Sequence, residues 1–352
     1  MTRVQRPAAT PLAVEVTASG PPAGVAAAAQ LAEQHGVERL YVAEAAYDPF
    51  QALAVAAGRT SKIELATGVA VAFARTPMTL ASSAWTLQEM SGGRAVIGLG
   101  SQVKAHITRR FSMPWSNPAA RMREFVMATR AIWDSWQAGE SITFRGEFYT
   151  HTLMTPTFTP TPLEPGPPKV LIAAVGPSMT RTAGQVGDGL LCHPFSSTSY
   201  LAACVVPRAI EARLEEKADS APWSRFPFEI AGSVITATGR TRQEYNDSVR
   251  AARERIAFYA STPAYRPVLD HHGWGPLQDE LHALARRGRW SEMGRLIDDE
   301  MLRTFAVVAE SPAAAGRLIR ERCTGLLHRV SPSLCGGSDL SLALEVMAGA
   351  RE

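Results

Sequence analysis

One short segment combines glycines, a cation-rich loop and the end of a predicted strand, and this combination suits the binding of an anion. An apolar run from Arg94 to Leu99 predicts a buried strand, and Gly98 and Gly100 allow a ligand to approach its backbone closely. The next residues carry five cations and no acid up to position 123: Lys104, Arg109, Arg110, Arg121 and Arg123. Since the net charge is only +3, this local excess predicts a small anionic ligand rather than a nucleic acid. Arg75 is a further candidate cation.

A second candidate anion site begins at Gly176. Pro177 fits the first position of a helix. The amides of Ser178, Met179 and Thr180 then have no partner within the helix and point outward. Such amides, together with the helix dipole, are typical of phosphate sites. A capped helix start without a ligand is the structural alternative.

Three side chains that can move a proton follow predicted strands or lie in the basic loop. Glu44 follows a strand from Arg39 to Ala43, His106 lies in the basic loop, and His193 follows a strand from Gly189 to Cys192. A carboxyl or imidazole group can act as a general acid or base. A structural hydrogen bond remains the alternative for each histidine. Asp48, followed by Pro49, is predicted to cap a helix.

The elements that must position these residues alternate along the chain. Each of eight predicted strands is followed by a helical pattern, which calls for a parallel sheet. Eight such units predict a (β/α)8 TIM barrel of the α/β class, with its active site at the carboxyl ends of the strands. An open doubly wound sheet is the alternative, although no GxGxxG motif follows the first strand. The predicted strands are Leu12–Thr17, Arg39–Ala43, Ile63–Val69, Arg94–Leu99, Val170–Ala174, Gly189–Cys192, Phe228–Thr236 and Gly325–Val330.

Length and composition are those of one globular domain spanning 1–352. The chain has 46% hydrophobic and 20% charged residues. Residues 1–10 are expected to be a disordered tail, and 139–168 and 261–303 read as insertions in the barrel. The four cysteines show no metal-site spacing, so reduced thiols are expected. No apolar run reaches the roughly 18 residues of a membrane helix and no signal core is present, so we expect a cytoplasmic protein with no membrane partner.

Several motifs resemble one superfamily. The runs 67–78, 91–94 and 98–102 (TGVAVAFARTPM, SGGR and GLGSQ) are similar to the bacterial luciferase-like monooxygenases. The runs 110–115, 121–124 and 173–179 (RFSMPW, RMRE and AAVGPSM) resemble an actinobacterial branch of oxidoreductases that use coenzyme F420, a deazaflavin. The likeness is dense from about residue 39 to 200, and beyond Tyr200 it rests mainly on topology.

The resemblance implies a TIM barrel and a set of site residues. A non-proline cis peptide is expected between Gly68 and Val69, behind the ring of the cofactor. Glu44 is expected to be an active-site acid or a hydrogen-bond partner of the ring, and His106 a second catalytic group. An acid or histidine pair occupies the position of Glu44 in related enzymes, whereas this chain has the acid alone. The expected cofactor-binding residues are Gly68, Val69, Gly100, Ser101, Gln102, Lys104, Arg109, Ala174, Val175, Gly176, Pro177, Ser178, Met179 and His193.

The resemblance also implies an activity. A deazaflavin exchanges hydride and reacts poorly with oxygen, so we expect a dehydrogenase or reductase acting on a small organic molecule. The F420 phosphodiester and glutamate tail carry more negative charge than FMN, which agrees with a basic mouth. An FMN-dependent monooxygenase of the same fold and a non-catalytic flavin-binding barrel remain alternatives. No metal site is expected. We expect a homodimer, because barrels of this superfamily commonly pair.

Overall fold

The computed structural model describes residues 12–337 and 339–351, and its centre is a closed barrel. Eight parallel strands pair in the order β1-β2-β3-β4-β7-β8-β9-β11, and β11 pairs back to β1. The predicted TIM barrel is therefore confirmed, whereas the predicted tail 1–10 lies outside the described residues. The strands are β1 (Ala13–Ala18), β2 (Arg39–Val42), β3 (Glu64–Val71), β4 (Ala95–Gly100), β5 (Phe144–Arg145), β6 (Thr150–His151), β7 (Lys169–Ala174), β8 (Gly189–Cys192), β9 (Glu229–Ala237), β10 (Ala306–Val308) and β11 (Arg329–Leu334).

Helices surround the barrel, and several begin where a polar cap precedes a proline. Asp48 Oδ1 accepts hydrogen bonds from the amides of Phe50 and Gln51, which confirms its predicted capping role. A π-helical turn, Leu201–Val205, joins α7 to α8. The α-helices are α1 (Pro22–Gln34), α2 (Pro49–Ala57), α3 (Pro77–Met90), α4 (Lys104–Arg109), α5 (Pro118–Ala138), α6 (Pro177–Val186), α7 (Thr198–Tyr200), α8 (Val206–Glu215), α9 (Arg242–Ala260), α10 (Arg266–His271), α11 (Gly275–Arg286), α12 (Trp290–Met293), α13 (Asp299–Phe305), α14 (Pro312–Cys323) and α15 (Leu340–Arg351).

The last strand is the main departure from the sequence-based expectation. Gly325–Val330 was expected, but β11 begins at Arg329 and pairs with β9 as far as Leu334. The amides of Leu326 and Leu327 instead bond to the carbonyl of Cys323 in a turn after α14. The prediction was wrong because this apolar pair resembles a strand start, while the Ser-Pro-Ser sequence of the real strand does not. The short strand β10, beside the end of β9, was not predicted.

The barrel interior has a charged floor and an apolar middle layer. The floor residues lie at or near the amino ends of their strands: Glu15, Arg39, Glu64, Lys169, Glu229 and Arg329. Arg39 Nη1 lies 3.0 Å from Glu15 and 2.5 Å from Glu229, and its Nη2 lies 2.7 Å from Glu64. Above them Tyr41, Ala66, Val96 and Leu171 pack together with Leu191. We call the opposite, carboxyl-terminal end the mouth.

The second insertion and α9 lie against the mouth. The hydroxyl of Ser248 in α9 donates to the carbonyl of Cys335, just beyond β11, at 3.0 Å. Arg255 Nη1, two turns further along α9, donates to Ser333 Oγ at 3.0 Å. Helices α10 to α13 follow, so 261–303 is helical and packs at this end of the barrel.

The first insertion is a small hairpin, and the carboxyl end of the described chain lies on the opposite side of the barrel from the mouth. Strands β5 and β6 pair antiparallel within 139–168. In α15, Arg351 Nη1 donates to the carbonyl of His35 at 2.6 Å, just before the start of β2. Among the described helices, none has the length and apolarity that a membrane span requires.

Candidate functional site at the barrel mouth

The carboxyl ends of neighbouring strands bring four predicted site residues to one end of the barrel. Glu44 follows β2, Gly68 lies in β3, Gly100 ends β4 and Gly176 follows β7. The Gly68–Val69 peptide is cis, as the resemblance implies, and the pairing of β3 with β4 shifts register between Thr67 and Ala70. These residues therefore share one face, where a TIM barrel carries its active site.

Gly100 permits close packing against this irregular part of β3. A Cβ atom at Gly100 would lie 2.7 Å from Val69 Cγ2, and one at Gly68 would lie 2.7 Å from the ring of Tyr41. Both distances are too short for a real Cβ, so a side chain at either position would displace its neighbour. The two glycines thus let Val69 and Tyr41 pack tightly against the backbone at the carboxyl ends of β3 and β4.

The predicted basic loop contains a short helix, α4. Its five cations fall into two groups, those that contact other protein residues and those that do not. Arg110 Nη2 donates to the carbonyl of Ala45 at 2.6 Å. Arg121 is buried and donates to the Tyr149 hydroxyl at 2.9 Å, and Arg123 pairs with Glu216 at 2.5 Å. These three arginines make contacts within the protein.

Lys104 and Arg109 form the second group, on α4. Both are exposed, and neither side chain has a hydrogen-bond or ion-pair partner among residues 12–337 and 339–351. His106 is exposed on the same helix. Before α4, Gln102 adopts a positive φ of 57° and its Oε1 accepts from the amide of Val103, while Ser101 Oγ donates to the Gln102 carbonyl. Lys104 and Arg109 are thus the two cations of this segment that no contact within the described residues holds in place, whereas Arg110 and Arg121 bond to neutral oxygens.

The first turn of α6 has the geometry predicted for an anion site. Pro177 occupies the first helical position and Gly176 precedes it without a side-chain cap. A Cβ atom at Gly176 would meet no atom within 4 Å, and Ser178 is exposed. The first intrahelical bond of this turn runs from the Thr180 amide to the Gly176 carbonyl. The amides of Ser178 and Met179 are thus available to an anion, while that of Thr180 is already used.

Glu44 is held by a two-point ion pair. Its Oε2 lies 2.8 Å from Arg75 Nη1 and its Oε1 lies 3.0 Å from Arg75 Nη2. Oε2 also accepts from the amide of Val71 at 2.7 Å. Arg75, with its guanidinium over the ring of Phe50, therefore fixes the carboxylate at the end of β3.

The other half of the mouth is aromatic and includes His193. Leu191, two residues earlier, packs inside the barrel, so His193 continues the inward face of β8. Its ring stacks on Tyr265 with centroids 4.7 Å apart and meets the edge of Tyr259 at 4.7 Å. Burial lowers the pKa of His193 to about 4, so the ring is neutral at pH 7. Burial raises the pKa of Tyr265 to about 12.

Arg255 borders this aromatic half. It lies one turn before Tyr259 on α9 and bonds to Ser333 near the end of β11. Burial raises the pKa of Tyr259, and the positive charge of Arg255 opposes that rise. Tyr259, Tyr265 and Arg255 were not predicted as site residues. Of the three, only Tyr265 lies within the insertion 261–303, and the proximity of all three to His193 depends on how α9 and this insertion fold over the barrel.

Comparisons with known proteins agree with this geometry. The profile of the luciferase-like monooxygenase family matches residues 7–328. The uncharacterized protein Rv1360 of Mycobacterium tuberculosis is 49% identical over 316 residues, which are 90% of this chain and 91% of that protein. The 5,10-methylenetetrahydromethanopterin reductase of Archaeoglobus fulgidus is 28% identical over 73% of each chain.

A solved structure has the same fold. The coenzyme F420-dependent tetrahydromethanopterin reductase of Methanopyrus kandleri superposes with a TM-score of 0.77 at 21% identity, covering 97% of this chain and 98% of that one. The superposition covers nearly the whole of both chains, so the two proteins share the complete barrel fold.

Proposed function

Because the chain belongs to the luciferase-like monooxygenase family, we propose that it is an oxidoreductase that uses coenzyme F420 to transfer hydride to or from a small organic substrate. The similarity to a methylenetetrahydromethanopterin reductase supports a reductase rather than an oxygenase within this family. The F420-dependent enzyme of Methanopyrus kandleri has the same fold, which supports this choice of cofactor.

The observation that carries the proposal is unpaired positive charge after β4 and free helix amides after the neighbouring strand β7. Lys104 and Arg109 have no carboxylate partner among the described residues, and the amides of Ser178 and Met179 are available at α6. The F420 side chain carries a phosphodiester and a glutamate tail, so it presents several negative groups along its length. The donor set therefore fits F420: the α6 amides would hold the phosphodiester and the α4 cations the acidic tail.

The remaining residues of the mouth would position the ring and the substrate. When bound, the deazaflavin supplies or accepts a hydride. The close-packed ends of β3 and β4, with Gly68, Val69 and Gly100, would form the surface beside the ring. Glu44 is held by Arg75, so we assign it to positioning this surface through the Val71 amide. The aromatic half, with His193, would face the substrate and exclude water.

Equilibrium titration of the purified protein with F420 and with FMN tests the proposal. Deazaflavin fluorescence and flavin absorbance each report binding directly. We expect F420 to bind with micromolar or lower Kd and more tightly than FMN, with binding weakened by salt. Tight binding of FMN without binding of F420 would contradict the proposal.

The family description also favours a second candidate, a monooxygenase, which would use FMN in place of F420. That enzyme would consume oxygen when supplied with reduced FMN. An oxygen electrode separates the two candidates, because reduced F420 bound to this protein is expected to persist in air.

A further inference from the structure

We propose that Tyr265 is a catalytic residue that donates a hydrogen bond, and then a proton, to the oxygen of a carbonyl substrate, and that His193 positions it. This inference rests on the proposed function, because the hydride comes from the reduced deazaflavin. It names a substrate class, ketones and aldehydes, and it assigns a role to the second insertion.

The position of the ring hydrogen of His193 sets the direction of its hydrogen bond to Tyr265. The Phe195 amide donates to His193 Nδ1 at 3.2 Å, so Nδ1 carries no hydrogen. Since the ring is neutral, its one hydrogen is on Nε2. The Tyr265 hydroxyl lies 3.1 Å from Nε2. Tyr265 Oη is therefore the acceptor of this bond, and its own hydrogen remains to be donated elsewhere.

No acceptor for that hydrogen is present within residues 12–337 and 339–351. The neighbours of Tyr265 are rings: His193 stacked on it, Tyr259 at 5.9 Å and Phe195 at 5.7 Å. A hydroxyl that is part-buried and lacks an acceptor costs free energy unless a ligand supplies one. The fixed His193 thus orients Tyr265 as a donor toward a ligand at the mouth.

The position of the pair suits a reacting substrate. His193 continues the inward face of β8 beyond Leu191, and Tyr265 comes from the insertion that packs at the same end of the barrel. Glu44, the other candidate acid after a strand, has both oxygens occupied by Arg75. Tyr265 is therefore the better placed of the two to give up a proton.

The reaction adds one hydride and one proton to the carbonyl group. The carbonyl carbon forms a bond to the hydride received from the reduced deazaflavin, and the π electrons of the C=O bond move to oxygen. That oxygen takes the proton of Tyr265 Oη, which gives an alcohol. The carbonyl compound is reduced by two electrons and the deazaflavin is oxidised by two. The tyrosinate accepts the His193 Nε2–H hydrogen bond until it takes a proton from solvent.

The kinetic test compares the wild type with Tyr265→Phe, which keeps the ring and removes the hydroxyl. Reduced F420 is mixed with a panel of aliphatic, alicyclic and aromatic ketones and aldehydes, and its oxidation is followed by absorbance. We expect the wild type to reduce at least one member of the panel. In the variant the kcat for that substrate should fall about 10²- to 10⁴-fold, while the Kd for F420 should not change. Tyr245→Phe, in α9, is the matched control and should keep wild-type rates.

The positioning role of His193 has its own readout. His193→Gln retains an amide that can donate to Tyr265, so it should keep more activity than His193→Ala. In ¹⁵N-histidine NMR of the protein without cofactor, His193 should show an unprotonated Nδ1 and a protonated Nε2, with no titration between about pH 5 and pH 8.

Each outcome decides a separate claim. Titration of His193 in that range, or a protonated Nδ1, would overturn the donor geometry whether or not F420 binds. Equal rates for wild type and Tyr265→Phe, or no oxidation of reduced F420 by any member of the panel, would overturn the inference while F420 binding stands. If the wild-type protein does not bind F420, the proposed function itself is rejected.

Discussion

At the floor of the barrel Arg39 touches three carboxylates, whereas at the mouth Lys104 and Arg109 touch none among the described residues. The floor charges are buried or half-buried and are fixed by neighbours on adjoining strands, so they are part of the fold. Lys104 and Arg109 at the mouth are exposed, and no contact among the described residues depends on them. The difference indicates where substitutions should change stability and where they should change binding.

The largest effect on stability is expected from Arg39→Met. The substitution leaves Glu15, Glu64 and Glu229 close together without their shared cation, and Glu15 is 1% exposed. Breaking such a buried pair costs about 3–5 kcal/mol. Urea unfolding followed by circular dichroism would measure the loss. An unchanged midpoint would show that Lys169 and Arg329 suffice to neutralise the floor.

The next largest effect is expected from Glu15→Gln, which should change how the free energy of unfolding depends on pH. Burial raises the pKa of Glu15 from 4.5 to about 7, against the pull of Arg39. The folded state therefore favours the protonated acid. That stabilisation is complete below about pH 4.5 and is lost as the pH rises through 7. Unfolding free energies of the two proteins should diverge in favour of the variant, by up to about 3 kcal/mol, between pH 5 and pH 8.

The divergence is measured as a difference between variant and wild type because other groups also titrate. Burial lowers the pKa of His193 to about 4, which makes stability rise with pH in both proteins alike. Parallel pH curves for Glu15→Gln and wild type would mean that Glu15 is ionised throughout the range.

At the mouth, the double substitution Lys104→Ala with Arg109→Ala should alter binding and leave stability unchanged. We expect the Kd for F420 to rise about 10- to 100-fold, since a hydrogen bond to a charged group contributes about 1.5–3 kcal/mol. The salt dependence of binding should weaken at the same time. Fluorescence titration gives the affinity, and thermal unfolding checks the fold. An unchanged Kd would place the anionic tail away from α4.

The smallest effect is expected from Arg123→Ala, which belongs to the same basic segment. Arg123 pairs with Glu216 on the surface, with 43% and 37% of the two side chains exposed. Exposed pairs contribute about 0–1 kcal/mol, so stability should change little and F420 binding not at all. A loss of affinity equal to that of the double variant would erase the distinction between paired and unpaired cations.

The sequence was sufficient to predict elements whose signals are local. Helices α2 and α6 begin at prolines that follow Asp48 and Gly176, as expected. The site residues Glu44, Gly100 and Gly176 share the mouth because each follows or ends a parallel strand. That placement depends only on strand order, which an alternating pattern of strands and helices largely determines.

The pairing of long side chains was not predictable in the same way. Arg121 resembles a binding residue in sequence, yet it is buried against Tyr149 of the hairpin 28 residues away. Arg75 forms an ion pair with Glu44, which lies 31 residues earlier in the sequence. A guanidinium reaches partners that a single sequence does not identify, so its role depends on how the insertions pack. The same reason hid Tyr265 and Arg255.

The contact of Arg351 with the carbonyl of His35 has a practical consequence. It fixes the end of α15 next to the start of β2, at the amino ends of the strands. An affinity handle or fluorescent fusion joined after α15 would emerge on the side away from the mouth. The protein could therefore be immobilised on a sensor surface by that end, with the cofactor and substrate entrance left facing the solution.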